Sequence, residues 1–307
     1  MHLQTESVSC NACGADDFQP ISAETYRLQD AEVSLGVVRC NSCQLVYTNP
    51  RLTRESTLQV YQHDTEHTIS SNYCWSGDHT SARFAPLLRR LRAYAPAGRL
   101  LDVGCGSGDF LRVASTTGQW ELTGIEPVPD AAAEARQSCT ATIHTSVLEE
   151  VSFEPRAFDV ISMLGVLEHV HDPAETLQTA HKLLKPGGLL AIYVPNFSYL
   201  RFKDLGSICL LRTGRWSDLH PQEHQFQFTQ QTLKALLDSN GFDVLRIDVG
   251  RPFAVGSPAK RLLKNISFRA VQALWKMTGV HLGGLEVIAR VQSCEPNRKE
   301  SRTLHAA

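Results

Sequence analysis

The sequence predicts an α/β protein with a parallel sheet covered by helices on both faces, preceded by a small cysteine-paired module. Three observations carry this prediction. From residue 99 onward, short apolar runs alternate with segments of helical period. A turn with glycines at 104, 106 and 108 joins the first apolar run to the first of those segments. Two C-x-x-C pairs, Cys10/Cys13 and Cys40/Cys43, fall within the first fifty residues.

The apolar runs place strands at 99–103, 120–125, 141–144, 158–163, 188–194, 242–248 and 285–291. Helices are expected over 83–94, 108–117, 129–138, 172–184 and 229–239. The stretches 196–226 and 251–280 break the pattern and read as insertions. This divides the chain into a cysteine module (1–50), a polar connector (51–80), a main domain (81–295) and a polar tail (296–307). With 307 residues, 42% hydrophobic and 20% charged, the chain has the composition of an ordinary globular protein. Its net charge of −2 gives no reason to expect nucleic acid as a partner. No run of 18 apolar residues is present, and the first residues carry neither a basic nor an apolar leader region. The expectation is therefore a cytoplasmic protein with reduced thiols.

The turn Asp102-Val103-Gly104-Cys105-Gly106-Ser107-Gly108 lies where open parallel sheets bind ligands, at the carboxyl end of the first strand. Glycine lets a ligand approach the backbone. The spacing G-x-G-x-G differs from the dinucleotide fingerprint G-x-G-x-x-G, and Asp102 would repel a diphosphate while favouring a cation. Glu126 ends the second strand and can accept both hydroxyls of a ribose. A ribose bearing a positive sulfonium and no phosphate describes S-adenosylmethionine. A nicotinamide-dependent oxidoreductase is disfavoured by the same residues.

In order along the chain, the segments 100–110, 158–163, 167–173, 183–189 and 228–242 resemble the motifs of class I S-adenosylmethionine-dependent methyltransferases. The resemblance implies a Rossmann-like sheet of seven strands whose last strand is antiparallel. It also implies that Asp102, Gly104, Cys105, Gly106 and Gly108 hold the methionine portion, with Glu126 and Pro127 at the ribose. Ser146 and Val147 would meet the adenine, and Leu164 with Gly165 would form the floor. Cys105 reads as a small packing residue, since methyl transfer needs no covalent intermediate. Where ubiquinone-pathway O-methyltransferases carry E-x-x-E-H, this chain has Gly165-Val166-Leu167-Glu168-His169, so no catalytic metal is expected. His169 is the first candidate for a general base and His224, in the segment 218–224, the second. A structural role for each is the alternative.

Paired C-x-x-C knuckles supply four thiolates to a tetrahedral ion, so Cys10, Cys13, Cys40 and Cys43 are expected to hold structural Zn²⁺ in a zinc ribbon. A redox pair or an iron–sulfur site is the alternative. The ribbon with its following Leu45-Val46-Tyr47-Thr48-Asn49-Pro50 resembles that of some bacterial sugar C-methyltransferases. The expected activity is methyl transfer to a small-molecule acceptor, at oxygen first. Carbon or nitrogen of a nucleotide-linked sugar comes second, and a non-catalytic binding module is the rival from another class. The basic, amphipathic stretch 259–276 reads as a lid over the acceptor or, alternatively, as a peripheral contact at the inner membrane face.

Overall fold

In the computed structural model the described residues are 3–28, 30–63, 79–117, 119–200, 219–250, 269, 271–275, 277–278 and 283–292. Most of the two expected insertions, most of the stretch 259–276, the tail 296–307 and Cys74, Cys209 and Cys294 lie outside them.

The N-terminal part contains β1 (Thr5–Glu6), β2 (Phe18–Leu28), β3 (Ala31–Cys40), β4 (Val46–Thr48) and β5 (Arg51–Leu52). Helices α1 (Arg54–His63) and α2 (His79–Tyr94) follow. The main domain runs β6 (Ala97–Val103), α3 (Asp109–Thr117), β7 (Gln119–Ile125), α4 (Pro129–Ser138) and β8 (Thr142–His144). It continues through β9 (Phe158–Leu164), α5 (Pro173–Leu183), β10 (Leu184–Val194) and β11 (Phe226–Gln227). The last elements are α6 (Gln230–Ser239), β12 (Phe242–Gly250) and β13 (Gly284–Val291).

Seven strands form one sheet in the order β12-β13-β10-β9-β6-β7-β8. β13 runs antiparallel to both β10 and β12, while β10, β9, β6, β7 and β8 are mutually parallel. The last strand is thus the antiparallel one, as expected.

Side chains that alternate along each strand enter two separate cores, which is how a period of two covers both faces. Leu100, Val160, Leu189 and Ile288 meet α2, α3 and α4 on one face. Their chain neighbours Leu101, Ile161, Leu190 and Val287 meet α5 and α6 on the other. Helix ends are fixed locally. Asp172 caps α5 by accepting from the Ala174 and Glu175 amides, and Pro173 opens the helix. Thr229 caps α6 in a reciprocal pair with Thr232.

From β6 the chain moves to β7 and β8 on one side, then crosses to β9 on the other. The carboxyl ends of β6 and β9 therefore diverge, which opens a crevice at Val103 and Leu164.

The segment expected as a polar connector contains regular structure: it supplies β5, α1 and the start of α2. Nor does the cysteine module stand apart. Its four-stranded sheet is β2-β3-β4-β11, and the fourth strand comes from the main domain, pairing Phe226 with Tyr47 and Gln227 with Val46. Residues 219–226, expected within an insertion, are thus docked against the ribbon. The physical reason is core size. A module this small cannot bury its apolar face alone, so Cys10, Val38, Cys40, Leu45 and Tyr47 join the main core.

Candidate active site

The crevice at the switch point is a cleft of about 360 Å³. Asp102, Gly104, Cys105, Gly106, Glu126, Pro127, Ser146, Val147 and Leu164 all line it. Gly106 has φ +53°, and a Cβ there would meet nothing within 4 Å, so its backbone faces open space beside the cleft. Gly108 does something else. A Cβ on it would lie 3.2 Å from Ala135 and 2.9 Å from the Ser138 hydroxyl, so this glycine packs α3 closely against α4.

Asp102 and Glu126 are 3% and 7% exposed. They sit at the ends of adjacent strands, with Asp102 in register with Gly124. Asp102 accepts a 2.7 Å hydrogen bond from the Ser162 hydroxyl. Glu126 accepts from the Gly106 amide with one oxygen and from the Val128 amide with the other, each at 2.9 Å. Burial pushes Asp102 up to about 7, against the Ser162 bond, and nearby Glu126 pushes in the same direction. Burial also raises Glu126, against its two backbone donors. No ion pair to either acid is present among the described residues. Two buried carboxylates that no described side chain neutralises fit a ligand that carries positive charge.

Cys105 is buried, and burial drives its thiol well above the usual range, so it packs as a neutral side chain. Its sulfur fills the space in which a Cβ on Gly124 would stand.

The β9–α5 turn and the segment 219–225 meet at the far end of the cleft. His169 lines it, and its Nδ1 lies 2.9 Å from the Glu223 carbonyl. A carbonyl only accepts, so Nδ1 carries the proton and Nε2 is the nitrogen able to take one. Burial lowers His169 to about 4. His224 stands behind it with ring centroids 4.7 Å apart, edge to face, and does not line the cleft. Burial and the two neighbouring imidazoles, His169 and His220, hold His224 well below the usual histidine range. Among the described residues its Nδ1 has no hydrogen-bond partner. Glu168, 3% exposed, is pushed up by burial to about 8, and one of its oxygens is likewise unpartnered. Ligand atoms of Glu168, His169 and His224 lie within 4.8 Å of one another.

Sequence reasoning left three contributions unassigned. Ser162 holds Asp102; its only signal was a lone hydroxyl in an apolar strand. Glu168 was read within its motif without a role of its own. Arg54, Leu58 and Val60 of α1 form a wall of the cleft, and nothing in their local pattern points there.

Cys10, Cys13, Cys40 and Cys43 converge, with their sulfurs within 4.8 Å of one another. The Cys10–Cys43 and Cys13–Cys40 separations are 3.5 and 3.6 Å. Four thiolates at about 2.3 Å from a tetrahedral Zn²⁺ stand about 3.8 Å apart, so the cluster fits that ion.

Comparison with known proteins gives a consistent family. Residues 77–247 match the model of the family described as a methyltransferase domain. Ubiquinone biosynthesis O-methyltransferase of Pseudomonas aeruginosa is 35% identical over 111 residues, which are 34% of this chain and 47% of that protein. The enzyme of the same name from Xanthomonas campestris is 32% identical over 111 residues, 34% of this chain and 46% of its own length. The chain thus covers about half the length of these relatives. A solved structure of 1,6-didemethyltoxoflavin-N1-methyltransferase from Burkholderia thailandensis, with 1,6-didemethyltoxoflavin and S-adenosylhomocysteine bound, shares the fold. It superposes with a TM-score of 0.51 at 18% identity, covering 88% of this chain and all of that one.

Proposed function

The chain belongs to the methyltransferase-domain family, and from that premise we propose that it moves a methyl group from S-adenosylmethionine to an oxygen of a small-molecule acceptor. The observation that carries the reading is the pair of buried acids, Asp102 and Glu126, on either side of an open glycine turn. A diphosphate entering there meets two like charges, whereas a cationic amine and sulfonium neutralise them. The names of the Pseudomonas and Xanthomonas relatives support oxygen as the receiving atom.

When bound, S-adenosylmethionine supplies a methyl carbon made electrophilic by positive sulfur. Asp102, steadied by Ser162, receives the amine of its methionine portion. Glu126 has lone pairs left for the ribose hydroxyls after binding its two amides. Ser146 and Val147 border the adenine, and Leu164 forms the floor. His169, uncharged at neutral pH, takes the acceptor's proton at Nε2, and His224 packs against its ring to hold the orientation. Cys10, Cys13, Cys40 and Cys43 hold structural Zn²⁺.

Titration calorimetry tests the cofactor, and transfer of labelled methyl to a panel of catechols and nucleotide sugars tests the reaction. The expected result is heat with S-adenosylhomocysteine, none with NADH, and label on a hydroxyl. Tight NADH binding without heat from S-adenosylhomocysteine would overturn the reading. Binding without transfer to any acceptor would favour the non-catalytic module.

A further inference from the structure

The cysteine knuckle does not line the cleft, but it touches the loop that forms the cleft's acceptor end. Asn11, between Cys10 and Cys13, donates from Nδ2 to Oδ2 of Asp172 at 2.9 Å. The other Asp172 oxygen caps α5, so this carboxylate joins the knuckle to the end of the loop that carries His169. Arg51, 4% exposed, donates from Nη1 to the His171 carbonyl at 2.7 Å. The same Nη1 lies 3.5 Å from Oδ1 of Asn11. Its Nε donates to Glu6 at 3.0 Å, and that carboxylate oxygen also meets Nε2 of His171 at 2.8 Å. The loop 168–172 is therefore held by backbone and side chain together.

A second tie secures the partner loop. The Thr48 hydroxyl donates to the His224 carbonyl at 3.1 Å, and the Thr48 amide donates to Gln225 at 2.9 Å. Phe226 then donates its amide to the Glu168 carbonyl at 3.1 Å, which closes the circuit between the two loops. A buried guanidinium is costly to place unless its donors are satisfied in fixed geometry. The arrangement around Arg51 has the polar specificity of an orienting device, whereas apolar packing would have served for adhesion alone.

We propose that Arg51 and Asn11 are positioning residues: with the four cysteines closed on a metal ion, they hold the loop 168–172 so that His169 faces the cleft in one orientation. The inference rests on His169 acting at the acceptor, as proposed above, and deepens it. Ribbon closure and acceptor-site order are then one event, while the cofactor end stays independent of both.

The test uses full-length, metal-loaded protein and the variants Asn11→Asp, Arg51→Ala and Arg51→Lys. Asn11→Asp sets a carboxylate against Asp172 and leaves all four thiolates in place. The readouts are deuterium exchange of the 168–172 amides, ring NMR titration of His169, metal content, and affinity for S-adenosylhomocysteine. Losing one charge-assisted hydrogen bond should speed exchange in the loop by about 10-fold. Asn11→Asp and Arg51→Ala should do this and shift the His169 titration, with metal retained and cofactor affinity unchanged. Arg51→Lys keeps one donor and should restore part of the protection. Stripping the metal from the unaltered protein should speed the same amides. Unchanged loop exchange and an unchanged His169 titration in metal-loaded Asn11→Asp would overturn the proposal, whether or not Arg51→Ala folds. Failure of the unaltered protein to bind S-adenosylhomocysteine would instead strike the proposed function and leave the loop measurement standing.

Discussion

At the cofactor end of the cleft, Asp102, the glycine turn and Glu126 come from one stretch of chain between 102 and 126. At the acceptor end, the walls come from α1, from the β9–α5 turn and from 222–223, with the ribbon strands behind them. The first end is set by local geometry: two parallel strands, a turn and a helix start. The second is assembled by contacts between residues as far apart as Thr48 and His224. Such an end depends on the whole fold being in place, and its order can be lost without unfolding the first.

The largest expected effect separates the two ends outright. Cys40→Ser, or chelation, should remove the proposed structural ion; binding of such an ion contributes on the order of 10 kcal/mol to the folding of a module of this kind. Elemental analysis should fall from one zinc per chain to none, and the ribbon strands should lose protection in hydrogen exchange. Binding of S-adenosylhomocysteine should persist. If cofactor binding collapses together with the ribbon, the two ends are not independent and the contrast drawn here fails.

Next in size is His169→Ala, which probes the acceptor end alone. Removal of a general base typically costs about 10²–10⁴-fold in turnover. Steady-state kinetics should show the loss in kcat, with calorimetric affinity for S-adenosylhomocysteine unchanged. Near-normal turnover would leave His169 a structural residue of the turn. Asp102→Asn probes the opposite end. It keeps an acceptor for Ser162 and removes the charge, so cofactor affinity should fall by about 10- to 100-fold, as for loss of a charge-assisted hydrogen bond. The stability of the unliganded protein should not fall, because a buried carboxylate is removed at the same time. Undiminished affinity would sink the role given to this acid.

The same contrast explains what could be read from the sequence. The sheet and its helices follow from periodicity, because each strand buries alternate residues in two cores, whereas the antiparallel last strand was implied by the family resemblance and by no pattern of its own. The glycine turn and its acids are legible because turn chemistry is local. Ser162 escaped notice because its function depends on strand pairing with β6, which no local pattern specifies. The wall formed by α1 escaped for a related reason. Its residues Arg54, Glu55 and Ser56 read as connector, and only the folded chain turns Leu58 and Val60 toward the cleft. β11 is two residues long; it exists because the ribbon edge offers partners to it, and its own sequence does not demand a strand.

The most gradual effect is a pH dependence confined to the acceptor end, where Glu168 and His169 are neighbours with opposite shifts. Burial raises Glu168 from 4.5 to about 8, so the stability of its neutral form is fully present below 4.5 and is lost as pH rises toward 8. Burial lowers His169 from 6.5 to about 4, so its contribution is fully present above 6.5 and is lost as pH falls toward 4. Between 4.5 and 6.5 the unfolded chain gains a proton at the histidine and loses one at the glutamate relative to the folded state, and the two slopes cancel. Each slope alone is at most about 1.4 kcal/mol per pH unit. Glu168→Gln keeps the shape and removes one titration, so its stability relative to the unaltered protein should climb from pH 4.5 to 8 in denaturant melts. His169→Asn should show the mirror image, gaining on the unaltered protein as pH falls from 6.5 to 4. Parallel curves for all three proteins would mean that neither group is buried in the form drawn here, and that solvent reaches the acceptor end as freely as it does an ordinary surface loop.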